Sequence, residues 1–145
     1  MKRLHLHIRT DDLEGSIKYY TALFGAEPAR REDDYAKWLL DDPAANVAVS
    51  ARGGKPGLDH VGVSVDQNEA LESVAARMRD ATAPLVQEEN ATCCYARSDK
   101  YWSHDPQGTV WELFHSFGDS EVYGATAPQV VNAKEAATGC CAPNV

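Results

Sequence analysis

The strongest constraint on the fold is an internal duplication, in which one pattern of residues occurs twice along the chain. Residues 4–10 alternate between apolar and polar side chains, which predicts a strand with one polar face, and residues 58–65 alternate in the same way. Apolar residues at helical spacing follow each strand, and shorter strand candidates come after each predicted helix. Each half of the chain is therefore predicted to form a βαβββ module.

The duplication also aligns two histidines. His5 lies six residues before Asp11 and His60 lies six residues before Asp66, and each aspartate stands at the predicted start of a helix. Because side chains alternate between the two faces of a strand, both imidazoles lie opposite the apolar residues that face the helices. Two modules joined edge to edge would leave these polar faces around one shared concave cavity. We therefore expect His5 and His60 to point into that cavity.

The chain is predicted to hold one α+β domain, because 145 residues correspond to about one domain of typical size. This domain spans 1–118 and comprises the modules 1–52 and 58–118. A cluster of chain-turning residues at 53–57 is the predicted linker. Alanine, proline and small polar residues dominate toward the end of the chain, so 119–145 is predicted to be a mobile tail.

Charge and hydropathy argue against several classes of partner. The 22 acidic and 14 basic side chains give a formal net charge of −8, which repels phosphate backbones and anionic lipid surfaces. No apolar run approaches the roughly 18 residues that cross a bilayer, and no hydrophobic stretch of an export signal is found. The cysteines form two adjacent pairs, Cys93–Cys94 and Cys140–Cys141, which is a poor framework for long-range disulfides. We expect a cytoplasmic protein that binds neither nucleic acid nor membranes.

Glu112 lies on the last predicted strand, between apolar residues of the same face. A carboxylate in such surroundings requires a partner, because burying an unpaired charge costs several kcal/mol. One arrangement that compensates is a divalent metal bound by His5, His60 and Glu112. Two imidazoles and one carboxylate suit Fe(II), since they leave open positions for oxygen or substrate. The alternative is an ion pair of Glu112 with an inward-facing Arg9 or Lys37.

The remaining histidines are judged by the same alternation of faces. His7 shares the face of His5 and is a rival for the same ligand position, although the alignment of the two modules favours His5. His104 abuts a turn, and His115 points away from the face of Glu112. Both are predicted to pack rather than to bind a metal.

The duplicated modules and the motif at 105–113, Asp-Pro-Gln-Gly-Thr-Val-Trp-Glu-Leu, resemble the vicinal oxygen chelate superfamily, also called the glyoxalase, bleomycin-resistance and dioxygenase superfamily. The resemblance implies an open, incompletely closed barrel around a metal cavity. It also implies that His5, His60 and Glu112 are metal ligands, with Fe(II) the expected ion and another divalent metal the alternative. Glyoxalase I carries a further carboxylate on the last strand of its first module, whereas 47–49 offer none, which argues against a lactoylglutathione lyase. Members pair their modules within one chain or across a dimer, so a homodimer is left open.

Cys93 and Cys94 are adjacent, and adjacent residues of a strand point to opposite faces of a sheet. The two sulfurs can bind one atom only where the backbone leaves β geometry, which predicts that 92–94 lies in a loop. Two small buried side chains are the alternative. The segment 90–102, with two motifs of the tail, resembles one branch of the superfamily, the carbon–arsenic lyases of organoarsenical detoxification and their cadmium-induced relatives.

This second resemblance implies that Cys93 and Cys94 bind a trivalent organoarsenical beside the Fe(II) site, and thiolates are indeed soft ligands for such a thiophilic centre. Lys100 or Arg97 would favour the thiolate form, and Lys100 is the predicted catalytic residue. The expected reaction is a cleavage of the carbon–arsenic bond that uses dioxygen and releases arsenite.

Two other functions remain open from the sequence. A soft-metal binding protein would sequester cadmium or arsenite without catalysis. A metal-dependent thiol transferase of the fosfomycin-resistance type would share the metal ligands but has no need of paired cysteines. Cys140–Cys141 could capture a metalloid and pass it to Cys93–Cys94, or the pair could be dispensable.

Overall fold

The computed structural model describes residues 1–124, so most of the predicted tail, including Cys140–Cys141, lies outside the described residues. Within this range the order β-α-β-β-β occurs twice, as predicted. The elements are β1 (Lys2–Arg9), α1 (Leu13–Phe24), β2 (Arg30–Glu32), β3 (Tyr35–Asp41), β4 (Ala44–Ser50), β5 (Gly57–Val65), α2 (Asn68–Asp80), β6 (Val86–Cys93), β7 (Ala96–His104) and β8 (Val110–Asp119).

The strands of residues 1–124 form one mixed sheet in the order β2-β3-β4-β1-β5-β8-β7-β6. In each module the first strand pairs in parallel with the last, β1 with β4 and β5 with β8. The modules join through the antiparallel pairing of β1 with β5, in which His5 lies opposite Gly62 and His7 opposite His60. The sheet curls into a half-barrel, and the predicted α+β fold of two βαβββ modules is confirmed.

The convex face of the sheet is apolar and carries both helices. In the first module α1 covers Trp38, which is fully buried and donates its indole N–H to the carbonyl oxygen of Ala26 at 3.0 Å. In the second module α2 packs its Leu71 against Tyr101 and Leu113 of the sheet. Burying a large apolar side chain stabilises the folded state by about 1.5–3 kcal/mol. No helix within 1–124 has the length and apolar character needed to cross a membrane.

The helix starts agree with the sequence in one module and differ in the other. Asp12 caps α1, since its side chain accepts a hydrogen bond from the backbone N–H of Gly15 at 2.9 Å. Asp66 was expected to begin α2, but the N-cap is Gln67, which makes no side-chain capping bond. The carboxylate of Asp66 instead accepts hydrogen bonds from the N-terminus and from Arg3. These ion-pair partners on β1 are available only in the folded chain.

The concave face of the sheet is polar, yet much of it is buried. Side chains alternate between the faces along each strand, so residues two apart on a strand project into the same hollow. The buried polar residues of the strands on this face are His5, His7, Asn46, Ser50, His60, Ser98, Lys100 and Glu112. Buried polar groups need hydrogen-bond partners, ions or ligands, so this concave face is the candidate functional site.

Gly62→Ala should destabilise the protein, because a Cβ at this position would lie 2.2 Å from the backbone carbonyl oxygen of Glu112. That oxygen belongs to the parallel partner strand β8, which cannot move away without disturbing the sheet. Overpacking of this kind lowers the free energy of unfolding by about 1–3 kcal/mol. Gly118→Ala on β8 is the control, since its Cβ would meet nothing nearer than 4.0 Å. Urea unfolding measures both variants, and equal stabilities would contradict the predicted clash.

Candidate metal centre

Three side chains from three strands converge at the centre of the concave face. His5 comes from β1 and His60 from β5, while Glu112 lies on β8, directly opposite Gly62 of β5. Oε2 of Glu112 lies 3.2 Å from Nε2 of His60 and 3.4 Å from Nε2 of His5. Ligand atoms that bind one ion at about 2.1 Å are roughly 3 to 3.5 Å apart. These three atoms could therefore hold one divalent cation.

Each imidazole is oriented by a hydrogen bond at its other nitrogen. Nδ1 of His5 donates to the backbone carbonyl oxygen of Asn46 at 3.0 Å, and Nδ1 of His60 donates to Oδ2 of Asp59 at 2.8 Å. Nε2 of each ring then faces the carboxylate of Glu112, as in metal sites whose histidines are held by outer hydrogen bonds. Sequence reasoning missed both acceptors. Asp59 directly precedes His60, and that adjacency was the available signal, whereas the carbonyl of Asn46 left no signal.

The electrostatics of the centre favour a cation between the carboxylate and the imidazoles. Burial lowers the pKa of His60, but its hydrogen bonds with Asp59 and Glu112 more than offset this and raise the pKa to about 9. Burial lowers the pKa of His5 to about 4, and the carboxylate only partly opposes that shift. Burial would raise the pKa of Glu112, yet Lys100 and His60 hold it well below its usual range. A proton on His60 neutralises this contact, and a divalent metal would displace that proton.

Lys100 is the ion-pair partner of Glu112. Its Nζ donates to Oε1 of the carboxylate at 2.7 Å, which leaves Oε2 for the two imidazoles. The sequence had suggested Arg9 or Lys37 as the partner, but Arg9 pairs with Asp59 at 2.7 Å and Lys37 makes no ion pair within residues 1–124. Removing one member of such a buried pair typically costs about 3–5 kcal/mol. Glu112 thus combines an ion pair with an oxygen that remains available to a metal.

His7 is the third buried histidine of the centre. Its ring centroid lies 5.0 Å from that of His60 and 6.4 Å from that of His5. One nitrogen from each of the three rings lies within 4.8 Å of the others, so they could also form a metal-binding group. Burial lowers the pKa of His7, and the neighbouring Cys94 opposes that shift. His5 stays the predicted ligand, because its Nε2 lies beside the carboxylate of Glu112.

The histidines predicted to pack have the expected surroundings. Nδ1 of His104 donates to the carbonyl oxygen of Asp105, and Nδ1 of His115 donates to that of Val65. Neither belongs to the histidine group that could hold a metal within residues 1–124. The turn beside His104 and the alternation of faces along β8 for His115 already indicated this.

Cys93 and Cys94 lie at the tip of the β6–β7 hairpin. Cys93 is the last residue of β6 and still pairs with β7, so the predicted loop 92–94 is shorter than expected. Cys94 and Tyr95 form the two-residue turn with φ of 58° and 60°, the left-handed values that tight hairpins require. The sulfur atoms of Cys93 and Cys94 lie 2.9 Å apart. The turn provides the departure from β geometry that a shared ligand atom needs.

One cavity, the inner cavity, is lined by the two sulfurs and by two of the candidate metal ligands, His5 and Glu112. The phenyl ring of Phe114 forms part of its wall and packs edge-on against the ring of His5, with centroids 5.0 Å apart. Lys100 contributes a charge to the wall between carboxylate and sulfur. The functional side chains that line the inner cavity are His5, Asn46, Cys93, Cys94, Lys100 and Glu112. His5, Glu112 and the hairpin tip therefore line one cavity, and His60 is linked to it through Glu112, whose Oε2 lies 3.2 Å from Nε2 of His60.

The class of protein follows from this fold and this site, a duplicated βαβββ half-barrel with histidine and glutamate on its concave face. The chain belongs to the Glyoxalase/Bleomycin resistance protein/Dioxygenase superfamily, whose family model matches residues 2–113. The resemblance found in the sequence is confirmed at the level of the superfamily.

Within this superfamily, the chain is similar to organoarsenical cleaving enzymes and to a cadmium-induced protein. The chain is 41% identical over 121 residues to the trivalent organoarsenical cleaving enzyme of Bacillus sp. strain MD1, covering 80% of this chain and 74% of that protein. It is 32% identical over 145 residues to the enzyme of the same name from Thermomonospora curvata, covering 99% and 90%. It is 34% identical over 142 residues to the cadmium-induced protein CadI of Mycobacterium tuberculosis, covering 97% and 93%. The predicted branch is therefore confirmed.

Solved structures confirm the fold alone. The 2,3-dioxygenase LapB of Pseudomonas sp. KL28 superimposes with a TM-score of 0.60 at 18% identity, over 88% of this chain and 44% of that chain. The Mn(II)-bound glyoxalase of Novosphingobium aromaticivorans superimposes with a TM-score of 0.55 at 13% identity, over 84% and 43%. Both share the curled sheet.

Glu112→Gln should weaken Fe(II) binding by more than about 100-fold, because it removes the anionic ligand but keeps an oxygen that accepts from Lys100. The matched control is His115→Ala, which changes a side chain outside the cavity. Anaerobic equilibrium dialysis with metal analysis measures the affinity. Wild-type iron content in Glu112→Gln would exclude this carboxylate as a ligand.

Proposed function

We propose that this protein is an enzyme that cleaves the carbon–arsenic bond of trivalent methyl or aromatic arsenicals and releases arsenite, with Fe(II) at His5, His60 and Glu112 and dioxygen as co-substrate. One observation carries the proposal. Two adjacent sulfur atoms, 2.9 Å apart, line the same cavity as His5 and Glu112. The relatives named organoarsenical cleaving enzymes support this reaction.

Cys93 and Cys94 would hold the arsenic atom. A trivalent arsenical R–As(OH)2 exchanges its two hydroxyl groups for two sulfurs, and two water molecules leave with the two thiol protons. Arsenic stays trivalent, so this step needs no oxidant. Both sulfurs must be reduced for this exchange, and because Cys93 is disulfide-bonded in this structure, a thiol reductant must first break that bond. The charge of Lys100 interacts favourably with Cys94, and we assign it the role of stabilising the thiolate.

The remaining groups would position the bond that breaks. Lys100 holds Oε1 of Glu112, and this fixes the carboxylate against the two imidazoles. The ring of Phe114 limits the cavity beside His5 and keeps water from one side of the site. An arsenical bound at the sulfur pair is thereby placed in the cavity that the metal ligands line. Holding two reactants in register supplies a large part of most catalytic effects.

Iron bound by two imidazoles and a carboxylate would supply open coordination positions and redox chemistry for dioxygen. The overall reaction balances for a methyl group, since CH3As(OH)2 and O2 yield formaldehyde and As(OH)3. The carbon loses four electrons and dioxygen accepts them. An aryl group would leave as a phenol, and a thiol reductant would then supply the two further electrons that dioxygen accepts.

The double substitution Cys93→Ser and Cys94→Ser should reduce arsenite release from methylarsonous acid by more than about 100-fold, because a hydroxyl is a poor ligand for a soft centre. Iron content should not change, since the metal ligands are untouched. Thr92→Ser in the same hairpin is the control. Aerobic release of arsenite with Fe(II) and a thiol reductant is the assay, and unchanged turnover in the double variant would remove the mechanism.

A soft-metal binding protein is the second candidate function. The relative named cadmium-induced protein CadI is 34% identical over 97% of this chain, and an adjacent sulfur pair also suits cadmium. Such a protein would bind the ion without breaking a bond. A thiol transferase is not favoured, because it has no use for the sulfur pair.

Dioxygen separates the enzyme from the binding protein. If the proposal is correct, methylarsonous acid with the Fe(II)-loaded protein releases arsenite in air and releases none under anaerobic conditions, because dioxygen accepts the electrons of the broken bond. Quantification of arsenite by chromatography with elemental detection measures both reactions. Equal release in the two atmospheres, or no release in either, would favour the binding protein.

A further inference from the structure

A second cavity adjoins the inner cavity on the concave face. This outer cavity has a volume of 230 Å³, whereas the inner cavity has a volume of 30 Å³. Four residues line both cavities and form the junction between them: Lys37, Asn46, Phe114 and Ser116. A molecule bound at the sulfurs can therefore extend past the junction into the outer cavity.

The two volumes differ in what they can hold. One water molecule needs about 10–15 Å³ of cavity volume, so the 30 Å³ of the inner cavity accommodate a small group such as a methyl beside arsenic. A cavity of about 150 Å³ is enough to bind benzene, and the outer cavity is larger than that. We therefore expect the aromatic ring of a larger arsenical to occupy the outer cavity, which it reaches past the junction.

Two cationic side chains, Arg3 and Lys37, line the outer cavity, and only Arg3 has ion-pair partners within residues 1–124. Arg3 is neutralised by Asp41 at 2.7 Å and by Asp66 at 3.2 Å. The ammonium of Lys37, in contrast, makes no hydrogen bond or ion pair within residues 1–124. Burial lowers its pKa and Asp119 opposes that shift, so the amine is partly desolvated and favours an anionic partner. The ammonium of Lys37 can therefore donate hydrogen bonds to a ligand at the junction.

Asn46 provides a second polar group beside Lys37. Lys37 pairs with Ala48 and Leu39 pairs with Asn46 across strands β3 and β4, so Lys37 and Asn46 are diagonal neighbours on the concave face. Oδ1 of Asn46 is buried without a hydrogen-bond partner within the described chain. A buried acceptor of this kind is stabilised by a ligand that donates a hydrogen to it.

We propose that Lys37 determines substrate specificity, and that Lys37 and Asn46 together bind an anionic or strongly polar ring substituent of an aromatic arsenical. A carboxylate, nitro or phenol group on the ring fits Lys37, whose amine donates to its oxygens, and a phenol can in addition donate its hydrogen to Oδ1 of Asn46. The inference rests on the proposed function, since it assumes that the arsenic of the same molecule is bound by Cys93 and Cys94.

The test compares two ligands on two variants of the full chain. Carboxyphenylarsonous acid and phenylarsonous acid are each bound to metal-free protein with a thiol reductant, and equilibrium dialysis with arsenic analysis gives the dissociation constants. Lys37→Met should weaken binding of the carboxylated compound by about 10- to 100-fold, the effect of losing a charge-assisted hydrogen bond. Phenylarsonous acid should change by less than about 3-fold. Lys37→Arg keeps the cation and should retain the preference.

Several results would overturn the inference. Equal weakening of both ligands in Lys37→Met would mean that Lys37 acts on the sulfurs and not on the ring substituent. A wild-type protein that binds the carboxylated compound no more tightly than phenylarsonous acid would also overturn it. Thermal unfolding verifies that the variants fold, and Lys37→Gln provides a second neutral side chain if Lys37→Met is unstable.

Arsenite release from the same two compounds, measured in air with Fe(II), tests the proposed cleavage reaction independently of the role of Lys37. Discrimination in binding without arsenite release would refute the cleavage reaction and leave the role of Lys37 standing. Release of arsenite without discrimination would support the reaction and refute the role of Lys37.

Discussion

The antiparallel pairing of β1 with β5 is the constraint on which every other feature of the site depends. It joins the two modules, places His7 opposite His60 and brings His5 within reach of both. Glu112 reaches the same point because β8 is the parallel neighbour of β5. A slip of one residue in this pairing would turn the side chains of one of the two strands toward the helices, including the imidazole that this strand contributes, since side chains alternate along a strand. The apolar convex face opposes such a slip, because the slip would expose that face to water.

Charge balance then determines what the centre can bind. Glu112 is buried and has one oxygen held by Lys100 and the other shared by two imidazole nitrogens. Each ring is held at its far nitrogen by a group of the protein, so the near nitrogens cannot turn away. The outcome is an oriented set of one oxygen and two nitrogens in a low-dielectric hollow, where a cation is attracted more strongly than in water.

The hairpin of β6 and β7 places two sulfur atoms, which are soft ligand atoms, in the cavity that His5 and Glu112 line. Its turn gives Cys94 a left-handed backbone, and the two sulfurs therefore come together instead of pointing to opposite faces. The sulfur pair lies over the small inner cavity, and the junction at Lys37 and Asn46 leads to the larger outer one. Under the proposed function, ligand softness would select the atom that binds, whereas cavity size and the charge of Lys37 would select the group that it carries.

The sequence by itself determined the βαβββ duplication, the faces of the strands and the candidates His5, His60, Glu112 and Cys93–Cys94, because alternation and repetition are local properties of the chain. It did not identify Lys100 as the partner of Glu112, the orienting acceptors at Asn46 and Asp59, or Gln67 as the cap of α2. The contacts of Lys100 with Glu112 and of His5 with Asn46 join separate strands, the cap of α2 depends on where a turn falls, and the contact of Asp59 with His60 depends on how two neighbouring side chains turn. Only the curling of the sheet decided them, because it brings distant strands into contact and leaves each buried polar group a limited choice of neighbours.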